Sequence, residues 1–88
     1  MERDREEERE FQTPDIYLSA AITILLKAEP SYRVLSGKTF FCFPATDELY
    51  RAMGQYNSGV AINAMEFSGI VKRLRGEAIS RRSGATHA

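Results

Sequence analysis

The chain has 88 residues, enough for one domain and no more. Its 12 basic and 12 acidic residues balance, which argues against a dedicated nucleic-acid binder but leaves room for a local basic face. One cysteine and one histidine exclude an internal disulfide and a cysteine-based zinc site.

The charges are unevenly placed. Residues 1–10 carry Glu2, Asp4, Glu6, Glu7, Glu8 and Glu10 against Arg3, Arg5 and Arg9, with almost nothing apolar to bury. This stretch reads as a solvated, disordered arm. It is not a charged-then-apolar leader. The longest apolar run, Ile16 to Leu26, is interrupted by Ser19 and Thr23 and falls short of the ~20 residues of a membrane span. A cytoplasmic, reducing location is expected.

Thr13-Pro14-Asp15 predicts a helix start, with Thr13 as N-cap and Pro14 in the first helical position. From Ile16 to Ala28 the polar residues Ser19, Thr23 and Lys27 recur every four, leaving one narrow polar stripe on an otherwise apolar cylinder. A helix this apolar is expected at the centre of the domain, stopped by Pro30. Tyr32 to Phe43 then predicts a β-hairpin turning at Ser36-Gly37. Pro44 ends its second strand, and Thr46 caps a helix with Leu49, Tyr50, Met53 and Tyr56 as its inner stripe. Asn57-Ser58-Gly59 terminates that helix, and Val60-Ala61-Ile62 is either an extended segment or a third edge strand. Asn63 to Glu66 reads as a capping box before a last helix that buries Phe67, Ile70, Val71, Leu74 and Ala78. Its outer face carries Lys72, Arg73, Arg75, Glu77, Arg81 and Arg82, with Glu77 four residues from both Arg73 and Arg81.

The sequence therefore predicts an α+β fold in the order α-β-β-α-α: a single domain over residues 11–82, the arm at 1–10 and a tail at 83–88. If Leu35 pairs with Lys38, strand alternation places Tyr32, Val34, Thr39, Phe41 and Phe43 on one hairpin face. Arg33, Leu35, Lys38, Phe40 and Cys42 fall on the other. The first is a core face. The second mixes apolar, thiol and cationic groups, as a partner surface does. Domains below ~70–80 residues rarely gain more than a few kcal/mol from one core, so self-association is expected. Covering this face with a second copy, or pairing strand edges across a twofold, would supply the missing burial. The competing arrangement is a helix packed on each face within one chain.

From Phe11-x-Thr13-x-Asp15-x-Tyr17-Leu18-x-Ala20-Ala21 onward, the chain resembles an uncharacterised family of small bacterial domains of unknown function. Gly37-Lys38-Thr39-Phe40-Phe41-Cys42-Phe43, Glu48-Leu49-Tyr50 with Tyr56 and Gly59, and Phe67 with Leu74 continue the likeness to about Ile79. The resemblance implies the α+β order and a bacterial or phage-related setting. It implies no activity.

Catalytic candidates are few. His87 lies one residue from the end, Cys42 sits mid-strand between phenylalanines, and Asp15, Asp47, Glu48 and Glu66 all occupy helix starts, where capping and the helix dipole account for them. Gly37-Lys38-Thr39 imitates the end of a phosphate loop but follows a hairpin turn and precedes a strand. A non-enzymatic domain without cofactor, metal or evident small-molecule substrate is expected. It would act through protein contacts at Arg33, Leu35, Lys38 and Phe40, as a homodimer. The alternative is a weak nucleic-acid accessory protein, in which Arg33, Lys38 and the stacking ring Phe40 share one hairpin face with Tyr32 at its edge, and Lys72, Arg73, Arg75, Arg81 and Arg82 extend the patch as phosphate contacts.

Overall fold

The structure, a computed structural model, describes residues 9–87, with side chains through residue 84. Residues 1–8 of the arm expected at 1–10, and the side chain of His87, lie outside this description. The elements are β1 (Glu10–Thr13), α1 (Ile16–Leu26), β2 (Ser31–Leu35), β3 (Lys38–Pro44), α2 (Asp47–Asn57) and α3 (Ala64–His87). The fold is α+β, with three helices and an antiparallel sheet ordered β1-β3-β2.

The hairpin forms as its sequence dictates. Ser36 and Gly37 both have positive φ, 53° and 75°, the signature of a type I′ turn, whose twist matches that of the flanking strands. Leu35 pairs with Lys38, Arg33 with Phe40 and Ser31 with Cys42.

The strand β1 corrects the expected order. Phe11 and Thr13 pair with Phe43 and Phe41, making β3 the central strand. The arm therefore ends earlier than residue 10: Glu10 belongs to the sheet, and the Arg9 carbonyl accepts from the Ala45 N–H at 3.2 Å. Because Thr13 is buried in β1, it is not the N-cap. Asp15 is, its Oδ1 accepting from the Leu18 N–H at 3.1 Å, while Thr13 Oγ1 accepts from the Asp15 N–H. The helix α1 ends at Leu26, before Pro30 is reached, with Lys27 in the left-handed region at φ 53°.

The helix α1 is central, as its composition predicts. Ala20, Ala21 and Ile22 are fully buried, and α1 packs against both α2 and α3. Within its polar stripe Ser19 and Thr23 are buried as well, while Lys27 is exposed. The Ser19 and Thr23 hydroxyls donate to the carbonyls of Asp15 and Ser19, each at 2.8 Å, so neither enters the interior with an open hydrogen bond.

The core joins Ala20 and Ile22 to Phe41 and Phe43 from the sheet, Leu49 from α2, and Val71 and Leu74 from α3. Thr46 caps α2 through the Leu49 N–H, as expected. Tyr50, expected inward, is 54% exposed. It lies one position from Leu49, on the next 100° of the helix, so burying Leu49 turns it outward. Residues 60–62 form no strand. Asn63 Oδ1 accepts from the Glu66 N–H at 2.9 Å, the first half of the capping box; no return bond from the Glu66 carboxylate occurs among the described residues. The helix α3 does not stop at residue 82 but runs to His87, so the expected tail is largely helical.

Candidate functional site

All three helices lie on the Tyr32/Phe41/Phe43 side of the sheet, where the core is. The expected alternative of one helix on each face does not occur. Strand alternation carries Glu10, Gln12, Ser31, Arg33, Leu35, Lys38, Phe40 and Cys42 to the opposite face. No described helix packs on this face, although Cys42 is buried within it. The four expected partner residues, Arg33, Leu35, Lys38 and Phe40, thus share one open surface beside the hairpin tip. Leu35 is 47% exposed, Lys38 is exposed and Phe40 is half-buried.

One contact organises this face. Arg33 on β2 reaches over the central strand to Glu10 on β1, Nη2 to Oε1 at 2.9 Å. The sequence shows no sign of it, since Glu10 reads as the end of a charge run. The guanidinium, with help from Gln12, holds the Glu10 carboxyl below the usual carboxylate range; Glu10 raises Arg33 in return. Cys42 lies between them on β3 and is buried. Burial, then the Glu10 charge, pushes its thiol up, and the neighbouring Arg33 opposes the shift. A buried thiol with a raised pKa is a poor nucleophile.

The basic set of α3 sits in the other layer. Arg73 makes a bidentate pair with Glu29, at 2.7 and 2.8 Å, drawing the Glu29 carboxyl down. Arg81 bonds Glu77 at 3.2 Å and stacks its guanidinium 4.7 Å from the Tyr32 ring centroid. Of the two expected partners for Glu77, the structure therefore selects Arg81. Lys72 and Arg75 are exposed with no ion pair among the described residues, and Arg82 is exposed on the same helix. The nucleic-acid alternative requires these cations to extend the patch of Arg33, Lys38 and Phe40, with Tyr32 at its edge. The structure separates them: Tyr32 faces the core edge-on to Phe41, and the whole sheet lies between Phe40 and the helical layer.

A second apolar surface was not anticipated. Tyr17 stacks on Phe67 with ring centroids 6.2 Å apart, and beside Phe67 a cavity of about 320 Å³ is lined by Tyr56, Val60, Ile62 and Ala64. The helical spacing that places Phe67 inward gave the only signal for it.

Among the described residues no group of three or more His, Cys, Asp or Glu side chains is placed to hold a metal ion. No described helix is long and apolar enough to cross a membrane. Comparison of the chain with protein-family models, characterised proteins and solved structures found no match.

Proposed function

We propose that this chain is a non-enzymatic protein-contact domain whose working surface is the open face of the sheet. The observation supporting this is the one-sided placement of the helices, which leaves Leu35 exposed and Phe40 half-buried beside Arg33 and Lys38. Such a mixture of apolar anchors with charged neighbours suits a protein partner, because the anchors supply desolvation and the charges set register. The family resemblance supports a bacterial or phage-type setting, and the single cysteine supports a cytoplasmic, reducing one.

Replacing Phe40 with a photo-crosslinking phenylalanine analogue, and in parallel Lys72 or Arg75, tests the reading in cells. Crosslinks to protein from position 40, with few from 72 or 75, are the expected result. Nucleic acid captured from positions 72 and 75, with nothing from 40, overturns it in favour of a basic-face binder. Such binding would weaken log-linearly with salt in fluorescence anisotropy against DNA and RNA.

A further inference from the structure

The two edges of the sheet are not equivalent. In a two-residue hairpin the residues flanking the turn exchange both backbone hydrogen bonds, and the pairs then alternate. Leu35, Arg33 and Ser31 therefore turn their N–H and C=O groups inward to Lys38, Phe40 and Cys42. Those of Tyr32 and Val34 point outward, and no other hydrogen bond among the described residues takes them up.

On β1 the bond from the Ala45 N–H to the Arg9 carbonyl fixes the same alternation, leaving Glu10 and Gln12 outward. That edge is guarded. It is four residues long, carries the acid Glu10 with Gln12 bonded to its carboxylate, and runs into Pro14, which has no N–H. The edge of β2 is one residue longer and has no proline and no lysine within it; Pro30, which precedes Ser31 as Pro14 follows Thr13, lies outside the Tyr32–Val34 stretch that carries the outward groups. Its single charged side chain, Arg33, is drawn away from the edge, across the outer face, by Glu10.

We propose that β2 is a homotypic edge: two copies of the chain pair their β2 strands antiparallel about a twofold through Arg33. This rests on the self-association expected of so small a core and goes beyond the open-face reading, since it uses a different surface. The register follows from the groups available. Tyr32 opposite Val34 of the second copy, and the reverse, gives four backbone hydrogen bonds and satisfies every outward group of both strands. Arg33 then faces its own counterpart on the outer face, which like charges resist. The pair with Glu10 is what makes the register tolerable, because each chain neutralises its own arginine. A twofold perpendicular to the sheet keeps both helical layers on one side. The two open faces merge into a six-stranded surface, widening from about 14 to about 29 Å at ~4.8 Å per strand. An edge of five residues buries less than the ~1,200 Å² of a stable interface, so the dimer is weak and reversible.

Sedimentation velocity up to about 1 mM chain, with amide hydrogen exchange read residue by residue, tests this. Dimers should form as concentration rises, and the Tyr32 and Val34 amides should gain protection in step while the Gln12 amide does not. Val34→Pro removes one outward N–H and leaves the β2–β3 ladder intact, and should abolish dimers. Glu10→Gln should weaken them several-fold at low salt, with partial recovery at high salt as the exposed arginines are screened. Monomers throughout, or dimers in which Tyr32 and Val34 stay unprotected, overturn the proposal. A Val34→Pro variant that remains dimeric does so as well. Because that variant leaves Phe40 in place, crosslinking from position 40 judges the open-face reading separately.

Discussion

Arg33 and Glu10 stand on strands that do not touch, and their 2.9 Å ion pair spans the central strand between them, over Cys42. The contact ties the first strand of the chain to the far edge of the sheet. Both side chains keep much of their exposure, 53% and 30%, so its contribution is small and screened by salt.

Its sign is nevertheless definite. Glu10 and Glu29 both have carboxyls lowered by arginine partners. Such groups stabilise the fold above the unfolded carboxylate pKa, and that stability is lost as pH falls through the depressed folded value. Urea midpoints at about pH 5 and pH 3 should fall further in the wild-type chain than in a Glu10→Gln, Glu29→Gln double variant. Equal falls would show that neither pair is coupled to folding.

The start of α1 gives a test between neighbouring residues. Asp15→Ala removes the side-chain acceptor for the Leu18 N–H and should cost about 1 kcal/mol by urea unfolding. Asp15→Asn, which keeps an acceptor, should recover most of it. A chain indifferent to both substitutions would mean that the first turn of α1 frays in solution.

Burial separates two leucines sharply. Leu74 is fully buried in the shared core, so Leu74→Ala should cost ~2–5 kcal/mol, a large fraction of what so small a domain has. Leu35→Ala on the open face should change stability by less than about 0.5 kcal/mol. Thermal unfolding followed by circular dichroism distinguishes them, and a large loss for Leu35 would mean that the open face is covered in solution.

The hairpin turn offers a fourth test. Gly37 sits at φ 75°, where a β-carbon meets no neighbour but the backbone itself resists. Gly37→Ala should therefore cost ~1–2 kcal/mol through conformation alone. Ser36→Asn, at a position with φ 53°, should stabilise slightly. If Gly37→Ala is neutral, the turn is not type I′ in solution.

What was legible in the sequence was local. The hairpin, its register and the grouping of Arg33, Leu35, Lys38 and Phe40 on one face follow from a two-residue turn and strict alternation. The Thr46 cap and the inward row of α3 follow from spacing alone. The strand β1 was hidden because its existence depends on Phe41 and Phe43, about thirty residues later, and because Thr13-Pro14-Asp15 imitates a helix start at its end. Ser19 and Thr23 looked like a polar stripe, yet their hydroxyls are satisfied by their own helix. Periodicity marks polarity without showing where the hydrogen bonds go. For the candidate site, the cations of α3 and the Phe40 face could be assigned to one surface only until tertiary packing put the sheet between them.

The position of β3 between its two partners also sets an order of assembly. Its pairing with β2 closes across two turn residues and belongs to the microsecond class of hairpin events. Its pairing with β1 must close a loop that holds all of α1 and β2, so it bears a larger entropic cost and comes later. During synthesis β1 precedes β3 and finds no strand partner until residues from Phe41 to Pro44 have emerged. The earliest strand made is the last one seated, and a nascent chain halted before β3 holds α1 with neither the sheet nor a neighbouring helix to cover it.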